Sequence, residues 1–289
     1  MTTPDTGDRN EVPILGRRRL IGTAVAASVT PAAWIRPARA APDAELWPRW
    51  QAHDPSSTTR IDHAAWAGFL DRYRHVGTDG IARVAYSGLD LQAHRDLKAY
   101  LGRLSAVPVS SLARPEQFAF WINLYNALTV AVVLDHWPVA SIREIDISPG
   151  LFARGPWGAE LTEVESVALS LDDIEHRILR PIWQEPRIHY AVNCAALGCP
   201  NLAAEPFTVE NAERLLTRGA LDYVADPRGV RFDGDRLVVS SIYRWFAEDF
   251  GAGWPTGGLD HLRAWAPDET APRLAHRRRT DDHANDWGP

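Results

Sequence analysis

The chain has 289 residues, of which 45% are hydrophobic and 24% are charged, and its formal net charge is −6. These values are ordinary for a globular protein and exclude collagen-like, low-complexity and wholly disordered chains. The negative charge excludes the basic surface with which nucleic-acid-binding proteins neutralise phosphates. Two cysteines are too few for a disulfide scaffold.

The first forty residues have the pattern of an export signal. Three arginines at 17–19 precede a small, apolar stretch at 20–35, and the A-x-A triplet at 38–40 is a cleavage signal. Paired arginines before a weakly hydrophobic segment are typical of the twin-arginine type. A membrane anchor is the alternative, but a span needs about 20 apolar residues and this stretch has about sixteen. We expect residues 1–40 to be a twin-arginine-type signal peptide, removed after Ala40, and the mature protein to be periplasmic or extracellular.

No later segment is expected to span a membrane. The most apolar one, at 118–134, is short and contains Asn123, Tyr125 and Asn126. Removing the leader takes away six arginines and three acidic residues, so the mature chain is more acidic and poorly suited to anionic lipid. We expect a partner that is a small molecule or a peptide, and not a nucleic acid.

The mature chain is predicted to form a single domain at 61–270. Before it, residues 41–60 show no clear period and are expected to be an N-terminal extension that lies over the surface. After it, the composition turns to arginine, aspartate, histidine and asparagine. A polar segment of this kind cannot bury enough apolar surface to fold alone, so the tail at 271–289 is predicted to be disordered.

Helices are predicted over 62–73 and 89–104, where apolar residues recur at helical spacing. The next helix, over about 115–136, is apolar nearly all round. A helix without a polar face is buried on most sides, so it should be the central one. We expect Trp121 and Leu124 to be core residues.

Short strands are predicted at 161–169, where apolar residues alternate with polar ones. Ser170 then has the character of an N-cap, with Asp173 three residues later, for a helix over 171–180. The run at 187–192 is predicted to be a buried strand.

The last elements are a helix at 209–224, a hairpin at 230–240 and an aromatic-rich helix at 242–250. Together the elements predict an α+β fold: one domain in which a buried central helix packs against a small mixed or antiparallel sheet.

Four blocks of the sequence carry a family resemblance. They read EQFAFWINLYNA at 116–127, SLDDIEH at 170–176, RIHYAVNC at 187–194 followed by CP at 199–200, and SIYRWF to DF at 241–250. In this order and spacing they resemble the domain of unknown function 547 (DUF547) family, and the resemblance covers roughly residues 60–255. It implies the architecture but no reaction.

Asn123 and Asn126 are three residues apart on the apolar central helix and therefore share a face. A buried amide without a partner costs about 1–3 kcal/mol, so each must form hydrogen bonds. One interpretation is that they hold loop backbone in place. The other is that one of them lines a binding pocket as an oxyanion donor or a ligand clamp.

Glu175 and His176 are adjacent on a helix and are expected to point in different directions. His176 also follows Asp172 by four residues, a spacing that should pair the two groups and raise the pKa of the imidazole. His176 is either a structural histidine or an acid/base group, and Glu175 is a candidate pocket residue.

Cys194 is the candidate nucleophile. On a regular strand His189 would face away from it, and five residues would separate them by about 16 Å. Direct contact therefore requires the strand to end near Val192; otherwise His176 is the base. Cysteine peptidase-like and transglutaminase-like folds place the cysteine before the histidine, and this chain has the reverse order.

The two cysteines have other possible roles. In an oxidising compartment Cys194 and Cys199 can form a disulfide, and a zinc site would need a further ligand, such as His189 or His176. The spacing provides no closed ligand set, so neither a metal nor a cofactor is expected.

We expect five residues to converge on one concave pocket: Asn123, Glu175, His176, His189 and Cys194.

Two functions fit these observations. One is an exported cysteine-dependent hydrolase or acyl-transferase, with Cys194 as nucleophile, a histidine base and an asparagine donor. The other is a non-catalytic module that binds a ligand or a partner through the same polar residues.

Overall fold

The computed structural model describes residues 42–150 and 154–288, and the predicted signal peptide lies outside these residues. The α-helices in chain order are α1 (Ala64–Tyr73), α2 (Leu91–Ser105), α3 (Arg114–His136), α4 (Arg180–Trp183), α5 (Ile188–Ala191), α6 (Ala212–Ala225), α7 (Ile242–Trp245), α8 (Thr256–Trp265) and α9 (Ala271–Ala275). The strands are β1 (Arg74–Val76), β2 (Ala82–Val84), β3 (Thr162–Val164), β4 (Val167–Leu169), β5 (Val230–Asp233), β6 (Arg236–Ser240) and β7 (Asp282–Ala284). A π-helix, Asp173–Leu179, runs directly into α4.

Helix α3 lies at the centre of the main hydrophobic core, as predicted. Trp121 and Leu124 are both buried, because a helix that is apolar on every side has no face to present to water. Among the described residues, α3 is the one helix long and apolar enough to cross a membrane by length and composition, but 94% of its most apolar window is buried. It is packed as a core helix.

The N-terminal extension takes part in this core. Its short 3₁₀ helix, Pro48–Gln51, carries Trp50, which is 2% exposed. The Trp50 ring meets the Trp121 ring edge to face, with centroids 5.1 Å apart. Helices α1 and α2 contribute the other large apolar side chains of the same core, including Trp66 and Leu104.

The described residues form three small sheets, two of two strands and one of three. Strands β1 and β2 form one antiparallel pair, and β3 and β4 form another. Strands β5 and β6 form the predicted hairpin, in which Gly234 has a φ of 61° at the turn. The fold is α+β, as the order of elements predicts.

The run at 187–192 is not a strand. Residues Ile188–Ala191 form one helical turn, α5, whose first N–H groups bond to the carbonyls of residues 185–187. A short apolar run fits a buried strand and a buried helical turn equally well, and here local hydrogen bonds select the helix. The sheet therefore excludes these residues.

The C-terminal tail is structured, contrary to its composition. Strand β7 pairs in parallel with β6, and Leu274 of α9 is buried. Further along, the carbonyl of Gly288 accepts a hydrogen bond from the Leu197 N–H at 2.7 Å. The backbone N–H and C=O groups of this polar segment form hydrogen bonds with elements that are distant in sequence. Composition does not reveal such pairing.

Candidate functional site

The π-helix begins with the predicted cap. The Ser170 hydroxyl accepts a hydrogen bond from the Asp173 N–H at 3.1 Å, and the Asp173 carboxylate accepts from the Ser170 N–H and hydroxyl. The helix then widens, since the Arg180 N–H bonds to the Glu175 carbonyl five residues before it. Such widened turns are rare and often occur at functional sites.

This widening changes the expected directions of two candidate residues. Glu175 and His176 were expected to diverge, but Glu175 Oε1 lies 4.0 Å from His176 Nδ1. A π-helical turn holds more residues than an α-helical turn, so adjacent side chains are rotated less from one another. The structure therefore brings the two groups together.

Five side chains form what we call the polar cluster: Glu175, His176, Arg180, His189 and Asp249. They come from the π-helix, α4, α5 and a 3₁₀ turn, Ala247–Asp249. The first four are less than 9% exposed, and the side chain of Asp249 is 16% exposed. Buried ionisable groups at this density require mutual partners.

His189 lies between two carboxyl groups. Its Nε2 donates to Asp249 Oδ2 at 2.6 Å, and its Nδ1 lies 3.7 Å from Glu175 Oε1. Burial raises the pKa of Asp249, but hydrogen bonds from His189 and Arg180 outweigh that effect and leave the pKa below its usual value. Asp249 is therefore a carboxylate that orients His189.

Arg180 is the cation of the polar cluster. Its Nε donates to Asp249 at 2.6 Å and its Nη2 to Glu248 at 2.7 Å. Its Nη1 donates to the carbonyl of Pro42 at 2.7 Å and to His176 Nδ1 at 3.1 Å. The guanidinium thus joins three parts of the chain that are far apart in sequence.

His176 differs from the expectation. Asp172 is only 3.7 Å from its Nε2, yet the pKa of His176 falls from 6.5 to about 4. Burial is the main cause, and the positive charge of Arg180 adds to it. Because Nδ1 accepts from Arg180, His176 is neutral at physiological pH, and the predicted rise in pKa is wrong.

Two aromatic residues border the polar cluster. The Phe246 ring stacks on His189 with centroids 4.2 Å apart, and the Arg180 guanidinium lies 4.8 Å from the same ring. On the other side, burial raises the pKa of Tyr125 well above its usual value, and the charge of Glu175 raises it further. The phenol therefore stays protonated beside that carboxyl group.

Neutral buried histidines predict a pH dependence of stability. The pKa of His63, His176 and His261 falls from 6.5 to about 4 in the folded protein. Between these two pH values the unfolded chain binds protons that the folded chain does not. We therefore expect the free energy of unfolding to decrease as the pH falls from about 6.5 to about 4.

Urea unfolding at several pH values measures this decrease. The substitution His176→Gln should reduce the slope between about pH 6.5 and about pH 5, because it removes one of the histidines that bind a proton only in the unfolded chain. His261→Gln should have a similar effect. A slope that is unchanged in both variants would contradict the neutral state of these histidines.

The two asparagines hold backbone. Asn123 donates to the Phe207 carbonyl at 2.8 Å and accepts from the Phe207 N–H at 3.0 Å. Asn126 makes the equivalent pair with the Ala191 carbonyl and the Asn193 N–H, both at 2.8 Å. Both amides therefore hold loop backbone in place, which is one of the two roles predicted for them. Asn123 does not belong to the polar cluster.

Cys194 and Cys199 form a disulfide, with Cα atoms 6.4 Å apart, a normal separation for such a bond. The disulfide was one of the open alternatives. A sulfur in a disulfide is not a nucleophile, so Cys194 lacks the thiolate that the predicted mechanism needs. The imidazoles of His176 and His189 instead face carboxyl groups and Arg180.

The described residues contain no group of histidine, cysteine and acidic side chains arranged to hold a metal ion. Among the surface depressions of the described residues, one lies between α1 and α2 and another lies beside residues 275–278. Neither is lined by a residue of the polar cluster.

Arg180, Asp249 and Phe246 were not among the site residues predicted from the sequence. Arg180 follows His176 by four residues, the same spacing that drew attention to Asp172. Asp249 and Phe246 both belong to the fourth family block. These two signals could have identified them.

Residues 109–224 match the model of a family described as "Protein of unknown function, DUF547". The match includes the first three sequence blocks and supports the resemblance that they indicate. No curated protein and no solved structure matches the chain. The family description carries no activity, so a function for this chain has to be argued from its own geometry.

Proposed function

We propose that this protein is exported and that its polar cluster binds a ligand without chemistry at Cys194. The twin-arginine pattern and the cleavage signal at 38–40 support export. The disulfide agrees with it, since disulfides persist in oxidising compartments and are rare in the cytosol.

The disulfide of Cys194 is the observation that favours a binding function over a cysteine-dependent reaction. Its sulfur is joined to Cys199, and the two candidate bases have other partners. His189 is paired with Asp249, and His176 accepts from Arg180. A disulfide sulfur is not a thiolate, so Cys194 cannot act as a nucleophile in this state, whichever histidine is near it.

The chemistry of the polar cluster favours one kind of ligand. With Glu248 and Asp172 at its edge, it presents four carboxyl groups, from Glu175, Asp249 and these two residues, against a single arginine. Such a set has more hydrogen-bond acceptors than donors. The preferred ligand therefore brings N–H groups or a positive charge.

The cysteine-dependent hydrolase or acyl-transferase is the second candidate. The 2.6 Å contact between His189 and Asp249 is the observation that favours it, because a carboxylate that orients an imidazole is a common part of nucleophilic sites. This mechanism would first require an external thiol or other reductant to open the Cys194–Cys199 disulfide and free the Cys194 thiol.

Intact mass spectrometry of the protein from its natural host tests the proposal. We expect the exported chain to begin at Ala41, and a thiol-alkylating reagent to add no mass until a reductant is supplied. A cytoplasmic protein that retains residues 1–40 would contradict export. Alkylation of Cys194 without reductant would contradict the disulfide that excludes chemistry at Cys194 and would favour the hydrolase.

A further inference from the structure

Residues 42–47, which we call the strap, run across the polar cluster. The strap has no regular secondary structure, and its last residue, Trp47, has extended dihedral angles. The N–H of Ala44 donates to Glu248 Oε1 at 3.1 Å, while those of Glu45 and Trp47 donate to the carbonyls of His176 and Arg177, both at 3.0 Å. Residues 45 and 47 thus bond to the same helix while residue 44 bonds elsewhere, which fits a chain in which every second residue faces the same way.

Pro181 affects the hydrogen bonding of the His176 and Arg177 carbonyls, to which the strap donates. Residue 181 would supply the N–H for the His176 carbonyl in a π-helical turn, or for the Arg177 carbonyl in an α-helical turn. Pro181 has no N–H to give. The missing N–H leaves at least one of these two carbonyls without a donor from residue 181, and the strap donates to both carbonyls.

The other contacts of the strap also use general peptide chemistry. The carbonyl of Pro42 accepts from Arg180, and the Arg177 guanidinium lies 4.1 Å from the centre of the Trp47 ring. Main-chain donors, a main-chain acceptor and Trp47 hold it, and the Trp47 ring also lies 6.1 Å from the Trp50 ring and packs against the main core. Any extended peptide with an aromatic residue at the last position could supply these groups.

We propose that this surface is a peptide-binding groove and that the strap occupies it within its own chain. The inference rests on the proposed binding function and names its ligand class: an extended peptide that carries an aromatic residue. Recognition by main-chain hydrogen bonds, with a side-chain contact for specificity, is a recurring mode of peptide binding. A free peptide would then bind by displacing the strap from the groove.

The strap is suited to replacement. Pro42, Asp43, Glu45 and Leu46 are exposed, whereas Trp50, downstream of the strap, is buried. Segments with few buried apolar contacts open at low free energy. The attached strap still competes strongly with a free peptide, because tethering gives it an effective concentration in the millimolar range. The groove should therefore bind a free peptide only after the strap is weakened.

The substitution Glu45→Pro weakens the strap and changes no side chain of the polar cluster, since it removes the N–H that bonds to the His176 carbonyl. Glu45→Ala is the matched control, because it removes the exposed side chain and keeps the N–H. Hydrogen exchange of residues 42–47 should accelerate in Glu45→Pro and remain slow in the control. Unchanged exchange in Glu45→Pro would overturn the assignment of these hydrogen bonds.

Fluorescence anisotropy with a labelled synthetic peptide of residues 42–49 then measures binding. We expect Glu45→Pro to bind it at least about tenfold more tightly than wild type or Glu45→Ala, because the tethered competitor is released. The same peptide with proline at the position of Glu45 should not bind. Equal affinity for both peptides, or no binding to the released groove, would overturn the inference.

The two proposals fail separately. Alkylation of native Cys194 together with peptide binding would contradict the non-catalytic function and leave the groove in place. Unreactive cysteines together with an empty groove would contradict the groove alone.

Discussion

Replacement of Trp121 by alanine is expected to lower the free energy of unfolding by about 3–5 kcal/mol, the range for large aromatic side chains that leave a cavity. Trp121 is 1% exposed. Its ring is enclosed edge to face by Trp50 at 5.1 Å and by Phe120 at 4.9 Å. Because Trp50 comes from the N-terminal extension, the cavity would loosen that segment from α3.

Urea unfolding of the variant measures the loss. Leu221→Ala on α6 is the control, since Leu221 is 45% exposed and surface substitutions usually change stability by no more than about 0.5 kcal/mol. A loss below about 1 kcal/mol for Trp121→Ala would mean that α3 is not the central helix of the core.

Replacement of Arg180 by methionine is expected to cost a similar amount, about 3–5 kcal/mol, because loss of one partner leaves a buried charge without compensation. Arg180 is 3% exposed and is bonded to Asp249, Glu248 and the Pro42 carbonyl. Methionine fills much of the same volume, so the loss reports the charge and its hydrogen bonds.

Two further variants separate charge from packing. Arg180→Met combined with Asp249→Asn removes both members of the closest ion pair and should recover part of the lost stability. Arg218→Met is the surface control: the Arg218–Asp222 pair is largely exposed, and such pairs contribute at most about 1 kcal/mol. Equal losses for Arg180→Met and Arg218→Met would contradict the buried network.

The core could be predicted from the sequence because the apolar pattern of its central helix is long. The apolar helix around Trp121 extends over several turns, and no other arrangement buries it. The run at 187–192 offered only six residues, and a short apolar run does not distinguish a strand from a helical turn. The tail at 271–289 depends on pairing between β7 and β6, which is a contact between distant residues.

Only part of the candidate site could be predicted from the sequence. Glu175, His176 and His189 could be singled out as polar residues in apolar surroundings, and the structure places them together. The π-helix changed their directions, and no simple period of the sequence indicates such a helix. The pKa of His176 depends on burial, which outweighs its neighbour Asp172. The contributions of Arg180 and of the strap require contacts across the whole domain.

Nuclear magnetic resonance of the histidine rings tests most directly whether the polar cluster is the binding site. The peptide of residues 42–49 would be titrated into the Glu45→Pro protein while the ring signals are followed. The account predicts that the signals of His176 and His189 shift with the bound fraction, whereas that of His94, paired with Asp135 between α2 and α3, does not. Saturable binding that leaves His176 and His189 unchanged would place the ligand elsewhere and contradict the account.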